Sequence, residues 1–169
     1  GLYMAPVRLG NDFTLDVDQS FPKGKAFAEW LSGVGASRMP GTLPVHDPFG
    51  GGSYVNQMVP PTQRWLYSTA PATVQHFTFN TPLGAPADKQ CGRVVFSNFH
   101  VEAQVKTSPL QPSPVFPGNC GADRPLSPQE KALEFMLFDA TSCVQPDTDR
   151  PRVFEPPPAA PPLPPPVIL

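Results

Sequence analysis

GRVVFSNFH, residues 92–100, is the stretch on which the fold turns. Val94, Val95 and Phe96 follow one another without a polar break, and Phe99 stands close behind. A strand with one wet face alternates apolar and polar residues. A continuous β-branched and aromatic run indicates burial on both faces, as in a parallel sheet. One Pro-rich loop downstream, from Thr107 to Pro125, the chain reaches its best-signalled helix, spanning residues 128–142. Ser127-Pro128-Gln129-Glu130 forms a capping box there: Ser127 accepts from the third helical amide, Glu130 reaches back, and Pro128 takes the first helical position. Leu133, Met136, Leu137 and Ala140 make an apolar stripe that Phe135 and Phe138 widen. Strand, loop and helix in this order form an α/β signature.

Working outward, a second helix is expected over residues 22–32. Ser20 is its predicted cap, Pro22 suits its first turn, and Gly33 or Gly35 ends it. Ala26, Phe27, Trp30, Leu31 and Val34 share one face, and Lys23, Lys25 and Glu29 take the wet side. Ahead of it, Asp12, Asp16 and Asp18 read as a solvated loop without the glycine and glutamate of an EF-hand. Residues 36–62 are rich in Pro and Gly breakers, with short strands expected near Thr42–Val45 and Tyr54–Met58. Better strands are Gln63–Ser68 and Thr73–Asn80. Both faces of the second carry apolar weight, so it is expected to be covered on both sides.

The composition is low in charge and high in proline. The 169 residues include 26 prolines, roughly three times the average usage, so much of the chain must be loop, edge or linker. The net charge is −2, with no basic cluster of the kind nucleic acid requires. No stretch approaches the ~20 apolar residues of a membrane-spanning helix. Little Lys and Glu, much Pro, Ser and Thr, and long loops fit an extracellular module. Residues 1–145 therefore read as one α/β domain and 146–169 as an extended tail. The last nineteen residues hold nine prolines, which favour a polyproline II arm: either a spacer or a strap for another subunit.

The candidate chemical groups do not add up to a reaction. His100-Val101-Glu102 follows the strongest strand, where a histidine base and an orienting carboxylate would sit. No cysteine stands on the sharp strand-to-helix turn that such a base would need to activate. His46-Asp47 lies in a turn-forming context, and no spacing joins it to His76 as a metal pair. Gly50-Gly51-Gly52-Ser53 lacks the lysine of a phosphate loop. No metal or cofactor is expected. Trp65 and Tyr67 remain as candidates for stacking a sugar or peptide, Trp30 being better placed in the core. Cys91, Cys120 and Cys143 are spaced too widely for a zinc knuckle or a C-x-x-C motif, and one disulfide plus an odd thiol is expected.

SFPKGKAFAEWL (20–31), QRWLYSTAP (63–71), CGRVVFSNFHV (91–101) and LSPQEKALEFMLFDATSCV (126–144) together resemble the C-terminal module of large bacterial surface proteins with carboxypeptidase-regulatory-like repeats. That module is similar to the later half of a ThuA-like, class I glutamine amidotransferase-like domain. The resemblance implies a partial flavodoxin-like layered sheet whose first units lie upstream of Gly1. It also implies that Cys91 and Cys143 return to one end of the sheet, with Cys91–Cys143 as the expected bond and Cys120 free or intermolecular. Cys120 with Cys143 is the alternative. A partial domain exposes a strand edge, so the function expected is non-catalytic assembly, with copies of itself or with the upstream part of its precursor. A carbohydrate- or peptide-binding module, and a degenerate hydrolase using His100 and Glu102, are the competing expectations.

Overall fold

The computed structural model describes residues 3–8, 12–46, 52–55, 58–99, 125–141 and 144–150. In chain order the elements are β1 (Tyr3–Arg8), β2 (Asp12–Val17), α1 (Pro22–Gly33), β3 (Thr42–His46), β4 (Gly52–Val55), β5 (Gln63–Thr69), β6 (Ala72–Thr81), a short 3-10 turn (Ala87–Lys89), β7 (Gly92–Ser97) and α2 (Pro128–Thr141). Five strands form the main sheet in the order β3-β2-β5-β6-β7, and β1 pairs with β4 in a second, two-stranded sheet. The Thr73 hydroxyl on β6 donates to the Val55 carbonyl on β4 at 3.4 Å, joining the two sheets.

Every pairing in the main sheet is antiparallel, which corrects the parallel arrangement expected from residues 92–100. The strand ends at Ser97 and lies at the sheet's edge. Its apolar run splits by alternation: Val95 packs against the core, while Val94 and Phe96 stand 38% and 37% exposed. Phe96 stacks on Phe77 across the ladder, and no helix among the described residues covers it.

Residues 12–17 also depart from expectation, forming a strand where a loop was read. DFTLDV alternates, with Leu15 and Val17 buried and Asp12, Thr14 and Asp16 exposed. β6 is covered on both faces only over its first half: Thr73, Val74, Gln75 and His76 are buried, whereas Phe77 and Phe79 are half-buried.

Both helices lie on one face of the sheet. Phe27 and Leu31 of α1 and Ala132 and Met136 of α2 close over Leu15, Leu43, Trp65 and Leu66. Trp65 is the centre of this layer, edge-on to Phe21 (4.9 Å) and Phe27 (5.8 Å) and 6.2 Å from Phe135. Its burial follows from paired bulges between β5 and β6. The register runs Arg64↔Phe77, Leu66↔His76, Tyr67↔Val74, so Trp65 is extra on one strand and Gln75 on the other. Trp65 and Leu66 consequently both enter the core, and Tyr67 turns to the opposite face.

The helix termini divide. The α2 capping box forms as read: the Glu130 amide donates to Ser127 Oγ at 3.2 Å, and the Ser127 amide donates to Glu130 Oε2 at 2.7 Å. Ser20 does not cap α1. The position before the helix is Phe21, with no side-chain cap, and the Ser20 amide instead donates to Asp18 Oδ1 at 3.1 Å. Gly35, at φ 67, turns the chain out of α1 in the left-handed conformation that glycine tolerates. The α2 stripe is also rotated from its predicted face. Gln129, Ala132 and Met136 are buried, while Leu137 and Phe138 are exposed.

Candidate functional site: a sealed charge network and two unequal sheet edges

Four charged side chains meet between the helices and the β6–β7 end of the sheet. Lys23 of α1 donates to Asp139 of α2 at 2.6 Å and lies 3.9 Å from Asp147, in the segment that follows α2. Arg93 of β7 reaches Asp147 at 2.5 Å through one terminal nitrogen. Its Nε lies 2.8 Å from Asp139 Oδ2 but off the N–H axis, so that contact is an ion pair without a directed hydrogen bond. Arg93 also donates to Asn80 Oδ1 at 2.9 Å and to Thr78 Oγ1 at 3.1 Å. Trp65 Nε1 donates to the same Thr78 hydroxyl at 2.8 Å. Among the described residues two cations meet two anions, and the side chains of Lys23 and Arg93 are each only 2% exposed.

Such a cluster is expensive to desolvate and holds only because each charge is answered. Its chemistry is internal: the charges are spent on one another, away from solvent. Lys23 was expected on the wet side of α1, and its burial corrects that reading. The signal was present in the spacing. Lys23 falls four residues before Phe27 and eight before Leu31, and Asp139 falls three after Met136, so each helix carries one charge in line with its buried positions, of opposite sign.

His76 sits beside this network, its Nδ1 2.5 Å from Ser97 Oγ. Burial, aided by the Arg93 charge, lowers its pKa to about 3, so the imidazole is neutral. A histidine and a serine at this distance resemble a base and its nucleophile. His76 Nε2, however, has no hydrogen-bond partner among the described residues to orient the ring, and a base with so low a pKa is far from the range that favours proton abstraction near neutral pH.

The two edges of the main sheet differ. On β3, Pro44 lacks an amide proton, and the Gln129 side chain mimics a neighbouring strand. Its Nε2 donates to the His46 carbonyl at 2.9 Å, and its Oε1 accepts from the His46 amide at 3.0 Å. Proline and a covering polar side chain are both devices that stop an edge from pairing. On β7, Gly92–Ser97 carries no proline, and no strand pairs with its outer edge among the described residues. Its one charge, Arg93, points inward to the network.

The face opposite the helices carries a row of rings at this open edge. Phe77 and Phe96 stack with centroids 4.7 Å apart and planes at 20°. Arg64, the register partner of Phe77, lies 3.6 Å over the Tyr67 ring and donates to Asp18 Oδ2 at 2.9 Å. Burial alone would raise the Asp18 pKa. The hydrogen bonds from Ser20 and Arg64 outweigh it and hold the carboxyl below its ordinary value.

Of the residues singled out in the sequence, Trp65 is fully buried and offers no stacking surface, which removes it as a platform. Tyr67 is half-buried beneath Arg64. Cys91 is exposed and has no disulfide partner among the described residues. His46 pairs with Asp12 at 2.6 Å on the surface. It stands three strands from β6, about 14 Å at ordinary strand spacing, so it does not join His76. His100, Glu102, Cys120, Cys143, Asp47, Gly50 and Gly51 lie outside the described residues. Comparison with protein-family models, with curated proteins and with solved structures finds no match to this chain.

Proposed function

We propose that this chain is a non-catalytic assembly module of a secreted bacterial surface protein, pairing with copies of itself along the β7 edge. The observation that carries the reading is the inequality of the two edges. β3 holds Pro44 and the Gln129 plug, whereas β7 carries no proline and, among the described residues, no side chain plugs its outer edge. An unguarded edge of this kind pairs readily with another strand. Light scattering on a size-exclusion column, combined with amide exchange of residues 92–97, tests it. Association that slows exchange at those amides is expected. A mass equal to one chain at every concentration, or association that leaves those amides exchanging freely, sinks the reading.

The surface-protein kinship belongs to this proposal and rests on the four phrases quoted above. A flavodoxin-like layering would require parallel strands in addition to the antiparallel sheet described. The extracellular assignment rests on composition and carries a disulfide, Cys91–Cys143. Its support is that Arg93 and Asp139 hold the start of β7 against α2, and the two cysteines flank that pair in sequence. Peptide mapping of the exported protein without reductant should recover a Cys91–Cys143 peptide. Finding Cys91 unpaired or joined to Cys120 would remove the assignment.

A further inference from the structure

The ring row on the outer face is not used by edge pairing. Tyr67, Arg64, Phe77 and Phe96 cross β5, β6 and β7, with Val94 exposed beside them. Ring faces bounded by a guanidinium suit one kind of ligand in particular. A polyproline II segment arrives already ordered, has no internal hydrogen bonds to protect, and lays its pyrrolidine rings on aromatic surfaces.

The sequence offers the composition of such a segment. Residues 151–169 contain the triplets Pro156-Pro157-Pro158 and Pro164-Pro165-Pro166, and their one acidic side chain, Glu155, immediately precedes the first triplet. A carboxylate beside the first triplet is opposite in sign to the Arg64 guanidinium that lies over Tyr67 in the ring row. At about 3.1 Å per residue, the nineteen residues reach about 60 Å. The chain reaches this segment just after Asp147, which Arg93 and Thr78 hold on the helix-bearing face. The rings lie on the opposite face. A Pro-rich arm acts as a semi-rigid spacer, which favours a ring row on another molecule over the opposite face of its own sheet.

We propose that the Pro-rich tail of one copy docks on the Tyr67–Arg64–Phe77–Phe96 row of a second copy. The proposal rests on the self-association reading and adds a second, separate contact to it. Two full-length variants test it. One changes all six triplet prolines to Ser, altering only the tail. The other is Phe96→Lys, which alters the receiving face through a side chain that stacks on Phe77 across the sheet face and not along the outer edge of β7. By light scattering each alone should fall to at most half the wild-type mass at the same concentration. Mixed in equal amounts, they should form a complex containing both, because one supplies the tail and the other the rings.

A tail variant that keeps the wild-type mass overturns the docking, and if amides 92–97 stay protected it leaves edge pairing standing. Tail-dependent mass with unprotected amides removes edge pairing alone. Two variants that fall in mass yet form no mixed complex also overturn the docking between copies. Should Phe96→Lys fail to fold, the tail variant still decides, since its changes all lie beyond Arg150.

Discussion

An ammonium group held away from water is stable only where an anion meets it, and Lys23 meets Asp139 at 2.6 Å with Asp147 behind it. Removing that cation takes away the 2.6 Å partner of a carboxylate that is only 8% exposed. Lys23→Met should therefore cost about 3–5 kcal/mol in urea unfolding. Adding Asp139→Leu should return part of the loss, as expected for coupled neighbours. A loss below about 1 kcal/mol in the single variant would show that the network behaves like a surface ion pair. The sequence displays this residue only in hindsight. Lys23 sits in line with the apolar positions of α1, but lysines usually escape to solvent along their flexible stems, so a stripe position alone does not announce burial. Trp65 was misplaced for another reason: its direction depends on a bulge, and a bulge belongs to two strands at once.

At the scale of elements, legibility followed how local each cause is. The α2 capping box involves four consecutive residues and forms as read. β5 and β6 form where they were read, although paired bulges break their alternation, and β2 was legible too, since DFTLDV alternates between Leu15, Val17 and its polar partners. The cluster of aspartates drew attention to charge and away from that period. Strand direction was beyond reach: an apolar run on both faces is shared by a buried parallel strand and an edge strand bearing an outer aromatic pair. Gln129 shows the same limit, since one side chain on α2 acts as a missing strand for β3. Gln129→Ala should lose about 1–3 kcal/mol, because two backbone groups at His46 forfeit their partner. It should also open β3 to pairing, seen as faster exchange of the His46 amide and a rise in scattered mass. A variant with unchanged exchange at His46 would deny Gln129 this role.

Across the whole molecule, acid is the most direct probe of the buried polar layer. His76 is neutral when folded, with a pKa near 3, and has an ordinary value of 6.5 when exposed. Between those values the unfolded chain binds the extra proton, so stability is full above about pH 6.5 and falls as pH drops toward 3. The slope should be on the order of 1 kcal/mol per pH unit, read from urea midpoints at pH 7, 6 and 5. His76→Met should flatten it. A wild-type midpoint that holds steady from pH 7 to pH 5 would mean that His76 takes its proton without unfolding.

The same layer sets an order of events. Lys23 and Asp139 stand 116 positions apart, and Asp147 completes the set. A nascent chain must deliver residue 147 before both of its waiting cations are neutralised. Until then Lys23 and Arg93 favour water over the interior. The stretch from Lys23 to Asp147 must therefore all be made before this buried layer can close, so its folding waits on synthesis.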